Sequence, residues 1–253
     1  MKFSFLGTGT SQGVPIIGCS CPVCTSTDSR DKRLRTAALI ESNGTVIALD
    51  AGPDFRQQML LANVKKLDAI LLTHEHRDHI AGLDDVRAFN FLQKKPMDIW
   101  GEARVLEAIQ NEFSYVFADY KYPGSPEMNL HRIDGDRFVV EGIEIMPIRA
   151  YHYKMPVYGF RIGDLAYITD ANSIPEAEMK KLRDVEVLVI NALRKEKHIS
   201  HFSLQEAIDL ISTIKPRTAY LTHMGHQMGL YQEVQNELPA NIYLAYDGLT
   251  LDV

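Results

Sequence analysis

Apolar residues recur along the chain in short runs that are separated by Gly, Pro, Asn and Asp. Runs rich in aliphatic and aromatic side chains at 3–6, 37–41, 46–50, 69–72, 143–149, 158–162, 166–169, 187–190, 219–222 and 242–245 predict strands. Between them the apolar positions shift to helical spacing, predicting helices over 54–62, 83–92, 103–117, 175–182, 204–214 and 230–238. Ser203 with Glu206 makes a capping box at the fifth of these, and Pro175 suits a first helical turn. The stretch 115–129 is irregular, with Tyr, Pro and Gly, and reads as a surface loop or a flap over a site. No repeat, linker or low-complexity stretch divides the chain, so a single α/β domain over 1–253 is expected.

Composition narrows the function. Hydrophobic residues make up 45% of 253, enough for a sizeable core. The net charge of −6 disfavours polymeric nucleic acid as a partner, because such binding neutralises phosphates with Lys and Arg. A small phosphate-bearing substrate stays open, since bound cations can supply local positive charge. The apolar start at Met1 is too short for a signal peptide and no run is long enough to span a bilayer. A cytoplasmic protein without membrane contact is expected, and a homodimer is left open.

The chemistry-bearing residues are unevenly spread. Of nine histidines, three fall within Thr73-His74-Glu75-His76-Arg77-Asp78-His79. Side chains alternate on an extended backbone, so His74 and His76 can face one cation. Asp78 and His79, at the turn into the next helix, can face a second. His74, His152, Asp170 and His223 each follow a different predicted strand, and α/β sheets hold ligands at strand ends. His152 and His223 then complete the two sets, and the two oxygens of Asp170 can bridge them. Imidazole with carboxylate is the donor set of a hydrolytic zinc, manganese or iron site. Two ions roughly 3.5–4 Å apart activate a shared water and clamp both attacking and leaving oxygens. A lone histidine would read as a core or surface residue; this convergence does not. Cys19, Cys21 and Cys24, odd in number and closely spaced, favour a metal over disulfides, with inert thiols as the alternative.

The His-x-His-x-Asp-His run resembles the signature of the metallo-β-lactamase superfamily, and the resemblance spans nearly the whole chain. It implies an αββα sandwich, two mixed sheets packed face to face with helices outside and the site at one edge. Asp50, in Asp50-Ala51-Gly52, matches the family's Asp-x-Gly turn, where the implied role is to orient a ligating histidine; an ordinary turn residue is the other reading. The opening Gly7-Thr8-Gly9-Thr10-Ser11-Gln12-Gly13-Val14-Pro15, followed by the cysteines, is similar to the cyclic phosphodiesterases of the carbon–phosphorus lyase pathway, relatives of the tRNA 3′-processing endonucleases. Such relatives hold a structural zinc with three cysteines and a histidine, which implies Cys19, Cys21, Cys24 and His226 here. His201 resembles the extra histidine of the phosphodiesterase members. That implies a general acid poised near neutral pH, counted with Asp78 among the catalytic residues. His198 reads as its exposed neighbour.

Asp170 stands where β-lactamases of this fold typically carry Cys, which disfavours a β-lactam substrate. Thioester hydrolases of the family share the Asp but carry a helical C-terminal region, whereas this chain ends on Leu249-Thr250-Leu251-Asp252-Val253. The long basic arm of tRNA-processing relatives has no counterpart between His79 and His223. The expectation is a metal-dependent phosphodiesterase acting on a small, cyclic phosphodiester through a metal-bridged hydroxide, with His201 assisting the leaving oxygen. Alternatives are a thioester or lactone hydrolase, a tRNA 3′-processing-type endonuclease, and a metal-holding module without turnover. Arg87 and Asn90, after the signature, read as a solvated helix face.

Overall fold

In the computed structural model, which describes residues 1–253, each of the ten apolar runs pairs into a sheet. The strands are β1 (Lys2–Gly7), β2 (Ala37–Ser42), β3 (Thr45–Leu49), β4 (Ala69–Leu71), β5 (Met97–Gly101), β6 (Met128–Arg132), β7 (Phe138–Val140), β8 (Ile143–His152), β9 (Met155–Ile162), β10 (Leu165–Ile168), β11 (Val187–Asn191), β12 (Thr218–Thr222), β13 (Ile242–Leu244) and β14 (Thr250–Asp252). They form two seven-stranded sheets, in the orders β14-β1-β2-β3-β4-β5-β6 and β13-β12-β11-β10-β9-β8-β7. In these orders the first sheet has three antiparallel pairings followed by three parallel ones, and the second has three parallel followed by three antiparallel.

Three cores define the layers. Phe3, Phe5, Ile40 and Ile47 of the first sheet meet Phe160, Tyr167 and Val189 of the second between the sheets. Helices α2 (Phe55–Leu61), α3 (Arg77–Ile80), α4 (Arg87–Gln93) and α5 (Ala103–Glu112) supply Phe55, Ile80, Phe89, Val105 and Ile109 against the outer face of the first sheet. Helices α8 (Leu204–Ile214) and α9 (Tyr231–Glu237) supply Ala207, Ile211 and Val234 against the outer face of the second. Strand β11 shows why the apolar runs are continuous: Val187 and Val189 face the central core, Leu188 and Ile190 the outer one. The result is the αββα arrangement, and each large side chain so buried contributes about 1.5–3 kcal/mol.

Helix 103–117 is broken into α5 and the one-turn α6 (Ser114–Phe117), because Phe113 departs from helical dihedrals, and the helix expected over 175–182 is the short α7 (Glu176–Met179) followed by a tighter turn at Lys180–Leu182. The stretch 115–129 holds the end of α6, a loop, and the start of β6. Strands β10, β11 and β12 run parallel, and β8 joins them in direction through the antiparallel β9. The ends of β8, β10 and β12 therefore share one edge of the second sheet. The backbone joins that edge to the first sheet, with Tyr158 N donating to Thr73 O at 3.0 Å and Met224 N to Thr8 O at 2.9 Å.

Candidate metal centre

Local backbone conformation marks this edge. Asp50 follows β3, Asp170 lies just past β10, and His223 follows β12; all have positive φ, at 65°, 54° and 57°. For residues other than glycine that conformation costs roughly 1–2 kcal/mol, and such outliers cluster where function holds them. Gly52 explains the rest of the Asp-x-Gly turn. A Cβ there would collide with the Asp78 carbonyl, so the turn can lie flush on the signature segment, and Ala51 N donates to His79 O at 2.7 Å.

Hydrogen bonds fix the imidazoles. Buried Asp50 accepts from Thr73 N at 2.8 Å, from Thr73 Oγ1 at 2.9 Å and from His79 Nδ1 at 2.7 Å. Thr73 Oγ1, its own proton directed to Asp50, accepts from His74 Nδ1 at 2.9 Å. His152 Nδ1 donates to Ser200 O at 2.7 Å. With Nδ1 protonated in His74 and His152, their Nε2 lone pairs stay free for a cation, the usual outcome of such outer contacts.

The donors converge in three overlapping groups: His74, His79 and Asp170; His152, Asp170 and His201; Asp78, Asp170 and His223. Within each group the ligand atoms lie within 4.8 Å of one another, and Asp170 belongs to all three. His76 stands just outside these trios, its ring 4.7 Å from that of His74 and 5.1 Å from that of His152. The seven residues expected to bind metal are thus brought to one place.

The donors also fit divalent ions chemically. His74 Nε2 and His201 Nδ1 are buried without a hydrogen-bond partner, and His79 Nε2 meets only the carboxylates of Asp170 at 3.2 Å and Asp78 at 3.3 Å. An orphan of this kind costs about 1–3 kcal/mol, which a coordinated cation would remove. Burial alone would raise Asp170, yet His223 and His79 outweigh it and hold the carboxylate well below its usual range. Around His79 the balance runs the other way: burial opposes its charge, but Asp170, Asp50 and Asp78 raise it well above the ordinary histidine range. A protonated imidazole here neutralises carboxylates gathered as if for a cation.

His201 stacks on His223 at 4.9 Å and lies 4.5 Å from the His152 ring, its Nδ1 3.8 Å from Asp170 Oδ1. Without metal ions in the pocket, burial first and then the repulsion of His223 push its imidazole down to about 3. His201 enters the site neutral.

The second cluster is separate. Cys19, Cys21 and Cys24 place their sulfurs 3.4, 3.3 and 3.6 Å from His226 Nδ1. One ring nitrogen cannot hydrogen-bond three thiols, whereas a tetrahedral zinc with Zn–S near 2.3 Å and Zn–N near 2.0 Å gives S···N edges of about 3.5 Å. The residues fit a closed Cys3His ion. Cys21 caps the short helix α1 (Pro22–Thr25), and the Cys24 backbone N–H is the main influence holding its thiol down to about 6. Burial pushes Cys24 up to about 11.

Several supporting residues escape a reading by motif. Thr10 Oγ1 lies 3.2 Å from His223 Nε2, and Thr169 Oγ1 donates to Asp170 Oδ2 at 2.7 Å. Glu75, inside the signature, pairs with Arg104, which also reaches Glu102 at 3.1 Å and the Pro156 carbonyl. For Thr169 the available signal was its place just before a predicted ligand, as with Thr73 before His74 and Thr222 before His223. Arg87 pairs with Asp84 at 3.7 Å, while Asn90 donates to the Lys95 and Glu127 carbonyls at 3.0 Å, so neither enters the site.

A superfamily of proteins shares this sandwich and this edge site. The profile of the beta-lactamase superfamily domain matches residues 45–224, and the chain belongs to that superfamily, as a metallo-β-lactamase hydrolase related to ribonuclease Z. A solved relative described as a new diphosphatase from the PhnP family is 35% identical, with a TM-score of 0.94, covering 100% of this chain and 97% of that one. An octanoyltransferase of Porphyromonas gingivalis is 41% identical over 98% of this chain and 51% of its own length. A ribonuclease Z of Limosilactobacillus reuteri is 25% identical over 74% of this chain and 55% of its own. The chain thus spans about half the length of these curated relatives. No helix is long and apolar enough to cross a membrane.

Proposed function

We propose that the protein hydrolyses a P–O bond in a small phosphodiester, a cyclic one being the first choice. The carrying observation is the trio of His152, Asp170 and His201, in which His201 has a buried nitrogen free of any partner beside the shared carboxylate. Two divalent ions, zinc, manganese or iron, would be held by His74, His76, Asp78, His79, His152, Asp170 and His223, and would supply water activation and neutralise phosphoryl charge. A further zinc would sit in the Cys3His cluster.

The chain's own residues do the remaining work. Asp50 and Ser200 hold His79 and His152 in register for the ligand shell. His201, neutral in the free protein, donates its N–H to a phosphoryl or leaving oxygen. A bound phosphodiester anion would add to Asp170 a second opposite charge beside this ring, favouring the protonated imidazole, which would then pass its proton to the departing oxygen. With a net charge of −6, polymeric nucleic acid stays outside the proposal.

A second reading, cleavage of a diphosphate linkage, is favoured by the 35% identical relative described as a diphosphatase. It uses the same phosphorus chemistry with a phosphate as leaving group. Acyl transfer, suggested by the name of the 41% identical relative, draws on a chain about twice as long.

The test compares bis(p-nitrophenyl) phosphate, the diphosphate-linked ADP-ribose, an octanoyl thioester and a lactone on zinc- or manganese-loaded protein. Phosphoester turnover is expected, falling about 10²–10⁴-fold in His201→Ala with metal content unchanged. Turnover confined to the thioester or the lactone would overturn the proposal.

A further inference from the structure

Resting on that reading, the rim of the pocket names a substrate class. Strand β8 ends at His152, which pairs with Met155, so Tyr153 and Lys154 alone turn the hairpin. Tyr153 has φ of 58°, in the left-handed region where glycine is the unstrained choice and a bulky aromatic is an outlier. Nothing in the core retains the ring there, because Tyr153 is 51% exposed. An expensive backbone is therefore carrying an aromatic side chain that packing does not require.

Three segments bearing pocket residues meet at this point. Asn172, two residues past Asp170, accepts from Tyr153 N at 2.8 Å through Oδ1 and donates through Nδ2 to Ile199 O at 3.1 Å. Ile199, two residues before His201, is 66% exposed. One amide thus holds an exposed aromatic on one side and an exposed aliphatic on the other, each within two residues of a pocket histidine. Lys154 is exposed too, and its Nζ stands 5.4 Å from the Tyr153 ring centroid.

We propose that Tyr153 and Ile199, braced by Asn172, form a stacking subsite for a planar ring, with Lys154 meeting phosphate charge beside it. The substrates of the pocket are then nucleotidyl phosphoesters, with the base on the rim and the scissile phosphorus among the histidines. Aromatic stacking accepts any base because every base has a π-face. A bare sugar phosphate would leave the rim unused.

The experiment uses two esters with one leaving group, thymidine 5′-(p-nitrophenyl phosphate) and ethyl p-nitrophenyl phosphate, on the metal-loaded protein. The nucleoside ester is expected to be preferred in kcat/KM by about 5- to 150-fold, the range that base–aromatic stacking is worth. In Tyr153→Ala that preference should vanish through KM, with kcat on the ethyl ester unchanged, and Tyr153→Phe should keep it. Equal preference in wild type and Tyr153→Ala would overturn the subsite. So would a Tyr153→Gly protein that melts higher yet keeps the preference, since the tyrosine would then be idle in recognition. If neither ester is cleaved, the phosphodiesterase reading fails by itself, and calorimetry with thymidine 5′-phosphate against ethyl phosphate still decides this one. A nucleotide bound no more tightly than the ethyl ester, or equally by Tyr153→Ala, sinks it.

Discussion

Asp50 shows how much a single carboxylate can settle. It is fully buried and accepts bonds from Thr73 and His79, so it fixes two neighbours of the metal pocket at once. Asp50→Asn keeps the shape but offers one acceptor oxygen fewer, so affinity for the paired ions should fall about 10–100-fold, read by equilibrium dialysis with elemental analysis. Asp247 governs stability instead. It accepts from Thr8 Oγ1 at 2.7 Å and Leu34 N at 2.6 Å, and burial, working against these bonds, pushes it up to about 6 from 3.8. The folded state then holds this proton more tightly than the unfolded chain. Its contribution is complete below pH 3.8 and is lost as pH rises through about 6. Between those values stability should fall by up to about 1.4 kcal/mol per pH unit, and Asp247→Asn should flatten that slope in denaturant titrations. The ligand residues were legible because their types and positions form a local pattern after strands. Thr10 and the low pKa of His201 were not, since one depends on a contact 213 residues away and the other on burial.

Among the elements, α8 was the most legible, because its start signal is chemical as well as periodic. Ser203 accepts from Glu206 N, and the Glu206 carboxylate accepts from Ser203 N at 2.9 Å. Ser203→Ala should destabilise the fold by about 0.5–2 kcal/mol, and a smaller loss in urea unfolding would mean that the second half of the box carries the cap. The four strands that the pattern missed are β5, β6, β7 and β14. β7 and β14 have three residues each, and of the six only Val140 is buried, so no apolar run marks them. β6, Met-Asn-Leu-His-Arg, is an edge strand with no fully buried residue, so its polar positions hide it. β5 does alternate, with Met97, Ile99 and Gly101 buried, but Lys94, Lys95 and Pro96 just before it break the apolar run.

For the whole molecule, the two clusters divide the work by place. His223 and His226 lie on one loop after β12, yet one belongs to the edge pocket and the other to the cysteines. Cys24→Ser should therefore lose one metal equivalent and melt lower, while the paired ions stay bound; loss of all ions together would show the clusters to be one cooperative unit. The sandwich also closes on itself: β14 pairs with β1 in the register Lys2 to Asp252, and the Met1 amino group donates to Val253 O at 2.6 Å. First and last residues are neighbours, so a few glycines could splice them. New ends opened in the exposed loop around 119–123 would interrupt no strand. A chain of these residues rearranged in that way should build the same pocket, with the order of its strands along the backbone changed and the architecture kept.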